Sequence, residues 1–294
     1  MNQRKILFIA LSFVIFILFY GPLKDLVSVS LKYGMYSHVM LIPLISGYFI
    51  FTGRKEIFSE KQYSFGAGIA MMAVGSLLYL IGKQQAGLLN KNDYLSLMIF
   101  SAWIIWIGGF VFFYGVKASQ IALFPLLFLL FMVPIPTKAM ETIISLLQIG
   151  SAEAAYGLFK LTGVPILREG FTFNLPGMSI EVAKQCSGIR SSIALFITAV
   201  LAGQLFLRTG WKKWILALSI FPIAIFKNGV RIVTLSLLGT YVDSRILGSE
   251  LHKSGGIPFF IVALVLLAPV LWVLRKSETL EIVEGTNLKS KGEV

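Results

Sequence analysis

The chain has 294 residues, 56% of them hydrophobic and 14% charged, with a mean hydropathy of +0.82. A soluble domain carries about 25% charged residues, so this composition leaves no room for a large soluble domain. The net charge of +12 belongs to membrane flanks rather than to nucleic-acid binding, because many Lys and Arg border apolar runs. A single cysteine excludes an intrachain disulfide and any multi-cysteine zinc site.

Arg4-Lys5 followed by the apolar run 6–20 has the shape of a signal peptide. Gly21-Pro22-Leu23-Lys24 follows in place of a small-residue cleavage pattern, so the run reads as an uncleaved first span. Further spans are expected at about 37–51, 65–81, 94–114 and 119–135, separated by Arg54-Lys55-Lys61, by the polar stretch 83–93 and by a turn carrying Lys117. Pro134 and Pro136 end the fifth.

From 139 to 161, Ile143, Leu146, Leu147, Ala154, Leu158 and Leu161 recur at helical spacing, with Glu141, Gln148, Glu153 and Lys160 between them. This predicts an amphipathic helix lying at the membrane interface or on other helices, ended by Gly163 and Pro165. Period-two alternation in 171–175 and 178–182, on either side of Pro176-Gly177, predicts a β-hairpin whose second arm leads to Cys186. Spans six, seven and eight are expected at 189–207, 214–239 and 257–274. A polar tail over 277–294, expected to be disordered, follows a single membrane domain over 1–276.

With the N-terminus inside and about eight crossings, Arg4-Lys5, Arg54-Lys55-Lys61, Lys117, Arg208-Lys212-Lys213 and Arg275-Lys276 all fall in the cytoplasm. Cys186 then stands at the outer start of span six. Arg231, about 17 residues and roughly 25 Å along span seven, lies near its outer end. His252 precedes span eight on the same side, and His38 begins span two there.

A thiolate is a nucleophile when a helix N-terminus or a cation lowers its pKa from about 8.5, and Cys186 has a following helix, Gly188 for close backbone approach, and Arg190. Alone, it reads more plainly as a small packing residue. Asn228 and Arg231 share a helix face. An arginine within a span marks a function or a paired cavity, or else reaches for the interface; its donors suit a developing oxyanion. His252 suits proton transfer, or is a solvated loop histidine. His38 is a second candidate base or a helix-packing residue. One shared face for Cys186, Arg231 and His252 favours catalysis over the three plainer readings together.

At these residues the chain resembles the exosortase/archaeosortase family of membrane transpeptidases. The resemblance is carried by Glu181-Val182-Ala183 before Cys186-Ser187-Gly188-Ile189-Arg190-Ser191, by Asn228-Gly229-Val230-Arg231-Ile232, and by His252 with Gly256. Tyr36-Ser37-His38 with Leu41-Ile42-Pro43, and Arg168-Glu169-Gly170, add to it. It implies Cys186, Arg231 and His252 as the catalytic set, with Ser187, Gly188, Arg190, Asn228 and His38 in support or in substrate binding. The histidine at the third position favours a bacterial exosortase-like type. Lys227 departs from the family, whose members usually have an apolar residue before the Asn.

The fold expected is all-α and polytopic: about eight transmembrane helices, with an extracytoplasmic amphipathic helix and a small β-hairpin before the cysteine. The activity the resemblance implies is cleavage of C-terminal sorting signals of the PEP-CTERM kind, each a short motif, a transmembrane helix and a basic tail. The expected partners are the C-terminal tails of exported, membrane-anchored proteins, the lipid bilayer and an acceptor nucleophile, with no nucleic acid, no metal and no cofactor. The expected location is the inner (plasma) membrane, with both termini cytoplasmic and the site outside. The rival is a non-enzymatic transporter or polysaccharide-export component, which would place polar residues deep in several spans. An acyltransferase using the same thiol differs only in donor.

Overall fold

The computed structural model describes residues 3–32, 34–59, 63–184, 187–243, 245 and 256–291, with side chains of the last helix described over 257–279. The chain divides into two compact units, Met1–Met140 and Glu141–Val294.

The first unit opens with α1 (Gln3–Leu18) and α2 (Tyr20–Lys32), bent 73° from one another. Pro22 has no N–H for the carbonyl of Leu18, which breaks the helical ladder at that point. A 3₁₀ turn (Gly34–Met40), α3 (Ile42–Thr52) and the single turn α4 (Arg54–Ile57) follow, then α5 (Phe65–Gln84) and α6 (Lys91–Ile121). The seam between α5 and α6 is built on glycines. A Cβ added at Gly68, Gly75 or Gly82 would stand 2.6 Å from Phe112 Cα, 2.6 Å from Ile105 Cγ1 and 2.9 Å from Met98 Sδ, respectively. The seven-residue step runs up one helix and down the other, so the two pack antiparallel along their length with the backbones nearly touching.

Within α6, Gly115 has φ 86° and ψ 169°, a conformation essentially reserved for glycine, and the helix breaks there. The expected span over 119–135 is therefore not one helix. The chain continues from the break to Ile121, then through α7 (Leu123–Phe128) and a 3₁₀ turn (Leu129–Met132), and leaves helical geometry at Val133. Pro125, Pro134 and Pro136 divide it. Its carbonyls find partners on α6: Trp103 Nε1 donates to the Leu126 oxygen at 3.0 Å, Ser96 Oγ to that of Pro134, and Asn92 Nδ2 to that of Ile135 at 2.8 Å.

Next comes α8 (Thr137–Thr162), whose first turn holds the division between the units. The second unit continues with β1 (Leu167–Glu169), β2 (Thr172–Leu175) and β3 (Met178–Glu181), an antiparallel sheet in the order β1-β2-β3. Then follow α9 (Ile189–Phe206), α10 (Gly210–Leu218), α11 (Ile220–Tyr241) and α12 (Gly256–Lys291). The last helix extends to Lys291. Glu278-Thr279-Leu280-Glu281-Ile282-Val283-Glu284 is polar yet supplies good helix formers. Glu278 also anchors that segment, its carboxylate accepting from the backbone N–H groups of Arg208 and Thr209 at 2.8–3.2 Å.

Among the described residues, seven helices are long and apolar enough to cross a membrane, or eight if α1 and α2 form one bent span. The amphipathic α8 is one of the seven and the least apolar. Many large apolar side chains, Phe13, Leu44, Phe51, Val265 and Trp272 among them, are exposed on these helices, as lipid-facing side chains must be. The protein is an all-α polytopic membrane protein with one small sheet.

Replacing Gly75 by leucine would drive a side chain into Ile105 and the Ser101 carbonyl. Overpacking of this kind costs about 1–3 kcal/mol, so a Gly75→Leu chain is expected to melt at a lower temperature than the parent in detergent. An unchanged melting temperature would refute the glycine seam.

Candidate functional site

The cysteine loop lies between β3 and α9, and buried polar groups hold it on both flanks. On the upstream side, the sheet sets its apolar face, Phe173, Leu175 and then Val182, against Ala152, Ala155 and Phe159 of α8 and against Ile232 and Val233 of α11. The expected hairpin is present, with Gly177 at φ +86° in its turn, as a Pro-Gly turn requires. The sequence reading missed β1, whose Arg168 lies against the ring of Phe173 and bonds Glu153 of α8 at 2.7 Å. That bond raises the Arg168 pKa further above its ordinary value. Immediately before the loop, the buried Gln148 donates through Nε2 to the Val182 oxygen at 2.6 Å.

On the downstream side, Gly188 caps α9 with φ +75°. Its carbonyl accepts from the Ser192 N–H and from the hydroxyls of Ser191 and Ser192, each at 2.9 Å. Lys227 of α11, only 2% exposed, donates from Nζ to Ser191 Oγ at 2.5 Å. A Cβ at residue 188 would stand 3.1 Å from Asn228 Oδ1 and 3.3 Å from Lys227 Nζ, so α11 is pressed onto the backbone of the loop. Asn228 is fully buried and donates through Nδ2 to Ser151 Oγ of α8 at 3.0 Å. Ser187, 1% exposed, has a hydroxyl with no hydrogen-bond partner among the described residues.

α8 and α11 meet this closely because their contact is glycine-lined. A Cβ at Gly229 would stand 2.8 Å from Ala154 Cβ, and one at Gly150 2.7 Å from Ile225 Cδ1. Of the apolar residues at helical spacing on α8, Leu146 and Leu161 are 63% and 83% exposed and Leu147 is buried, together with the polar Gln148 and Ser151. In lipid, leucine gains nothing by facing another helix, and small and polar residues take the interior. Gln148 and Ser151, two polar residues at i, i+3, were the available signal.

Of the expected site residues, Ser187, Gly188 and Asn228 come together around the loop, while Arg190 is exposed on the first turn of α9. Arg231 is half-buried on α11, one turn beyond Lys227. Cys186 and His252 lie outside the described residues. His38 belongs to the first unit, where its side chain hydrogen-bonds the backbone of Phe131 and of Met35. Among the described residues no cluster of three or more His, Cys, Asp or Glu could hold a metal.

The far end of the same unit is basic. Glu278 joins α12 to the start of α10, and Lys213 Nζ bonds Gln204 near the end of α9 at 2.8 Å. The Arg275 guanidinium lies 5.9 Å from the Phe206 ring. Arg208, Lys212, Lys213, Arg275 and Lys276 thus sit at the end opposite Gly188.

A protein-family model described as transmembrane exosortase (Exosortase_EpsH) matches residues 32–269. No curated protein matches the chain significantly, and no solved structure does.

Alanine at position 188 would add about 1–2 kcal/mol of left-handed backbone strain and crowd both Asn228 and Lys227. Gly188→Ala is expected to lower the melting temperature in detergent, while Arg190→Ala, at an exposed position, leaves it unchanged. Equal melting of all three chains would refute the packing of α11 against the loop.

Proposed function

Because this chain belongs to the transmembrane exosortase family, we propose that it is a membrane-embedded cysteine transpeptidase acting on the C-terminal sorting signals of exported proteins. The observation that carries this reading is the two-sided clamp on the loop with the chain's one cysteine. Gln148 holds Val182, while Lys227 and Asn228 abut Gly188, with Arg231 one turn away. Inert packing of a thiol does not call for so many buried polar groups at one turn, each of which costs stability unless bonded.

In the proposed reaction the Cys186 thiolate attacks the carbonyl carbon of the scissile peptide, and the Arg231 guanidinium stabilises the oxygen as it turns negative. The carbon–nitrogen bond then breaks, and the leaving amine takes its proton from His252. The acyl-thioester left on Cys186 is attacked by an acceptor amine, another nucleophile or water, which restores the thiolate. The basic end of the second unit is assigned to the cytoplasm. That puts the clamp at the outer face of the plasma membrane, where an exported protein still anchored by its tail presents its signal.

Co-expression with an exported protein ending in a motif, a transmembrane helix and a basic tail tests this reading. Mass spectrometry of its C-terminus is expected to find it trimmed beside the parent chain and intact beside Cys186→Ala. Arg231→Ala is expected to slow trimming by about 10²-fold or more. Continued trimming by Cys186→Ala would refute the proposal.

A further inference from the structure

The family resemblance assigns no role to residue 227, and the structure makes it conspicuous. Lys227 is a lysine in the interior of an apolar helix, only 2% exposed, and among the described residues its one hydrogen bond runs to Ser191 Oγ, a neutral acceptor. Among the described residues no carboxylate lies within ion-pair distance of it. The charged group that acts on its ammonium is another cation, Arg231.

Among the described residues the elements packed around it offer no compensating anion, and Glu141 of α8 is exposed. α9 brings the exposed Arg190, and α12 has no charged side chain before Arg275. Lys212 and Lys213 of α10 lie at the far end. Glu153 of α8 is engaged by Arg168, and Lys160, Glu169, Glu181 and Lys184 are exposed. An unpaired buried charge is costly, so this ammonium asks for an anion.

Its position says which one. Nζ would stand 3.3 Å from a Cβ on Gly188. Two peptide units, about 3.8 Å each from Cα to Cα, are all that separate Gly188 from Cys186. The residue between them, Ser187, has a buried hydroxyl with no hydrogen-bond partner among the described residues. The N–H groups at the start of α9 add positive potential there.

We propose that Lys227 is a positioning residue, whose buried ammonium at the start of α9 holds the Cys186 sulfur as the thiolate. The thiol proton leaves to solvent before substrate arrives, and Ser191 fixes the Lys227 side chain by accepting from Nζ while donating to the Gly188 carbonyl. This role rests on Cys186 being the nucleophile, and it gives the apolar-to-lysine departure before Asn228 a chemical meaning.

The chain has one cysteine, so alkylation by iodoacetamide of the full chain in detergent reports that sulfur alone. Its rate, followed from pH 6 to 9.5, gives the thiol's midpoint. The parent is expected to titrate below the ~8.5 of a free thiol. In Lys227→Met the midpoint is expected to rise by about one unit, a tenfold loss of thiolate, hence of labelling, at neutral pH. Ser191→Ala, which removes only the acceptor, is expected to shift it in the same direction by less.

Equal midpoints in the parent and Lys227→Met overturn the proposal, as does a parent midpoint at or above ~8.5. Should Lys227→Met fail to fold, an unshifted Ser191→Ala overturns it alone. No substrate enters this measurement. Loss of the shift therefore refutes Lys227 only, whereas substrate trimming by Cys186→Ala refutes the nucleophile and leaves the shift standing.

Discussion

Lipid supplies no hydrogen bonds, so every polar group within the membrane must be answered by the protein. In the second unit this constraint falls on one contact, that of α8 with α11. Gly150 and Gly229 bring the two backbones close enough for the Asn228 amide to reach the Ser151 hydroxyl. A single hydrogen bond between transmembrane helices contributes little, about 0.6–2 kcal/mol. Its effect here is geometric. It fixes the rotation of α11 about its own axis, which decides where Lys227 and Arg231 point, and α8 at the same time holds Val182 through Gln148. The loop between Val182 and Gly188 therefore spans two anchors that share one helix pair.

The first unit shows the same solvent handled differently. Between α5 and α6 the glycines at seven-residue steps make a close-packed seam, held by dispersion between backbones and side chains. Such a seam is a sufficient way to hold two membrane helices together. The polar seam of the second unit is thus not a requirement of the fold, and its polar residues are retained for what they arrange.

Much of this was legible in the sequence. Apolar run length located the helices over 37–51, 65–81 and 257–274, and the turn expected around Lys117 begins at Gly115, where the backbone breaks. Strand alternation around Pro176-Gly177 located β2 and β3. The rest was less legible. Periodicity reports that α8 has an apolar face but not which of its residues meet lipid and which meet protein: Leu146 and Leu161 are exposed, Leu147 is buried. Hydropathy is also blind to backbone breaks, so 119–135 read as a helix in spite of Pro125. A three-residue strand such as β1 is too short to alternate visibly. Lys227 was noticed only as a departure, because the sequence does not say that α11 presses it onto Gly188.

The second unit contains a useful internal comparison, because it buries Lys227 at one end and Glu278, together with Lys212, at the other. Glu278, 6% exposed, is answered in full by the backbone N–H groups of Arg208 and Thr209 and by the field of Lys212. Such a charge is a fastening, complete without any visitor. Lys227 is more deeply buried and, among the described residues, is answered by a serine hydroxyl alone. The same chain thus compensates a buried charge where it serves as a joint, and leaves one wanting an anion where the cysteine loop meets its helix. A thiolate has the sign and the covalent proximity to meet that want. A sulfur so held would carry its negative charge before any substrate carbonyl approaches, leaving Arg231 for the charge that develops on the substrate oxygen.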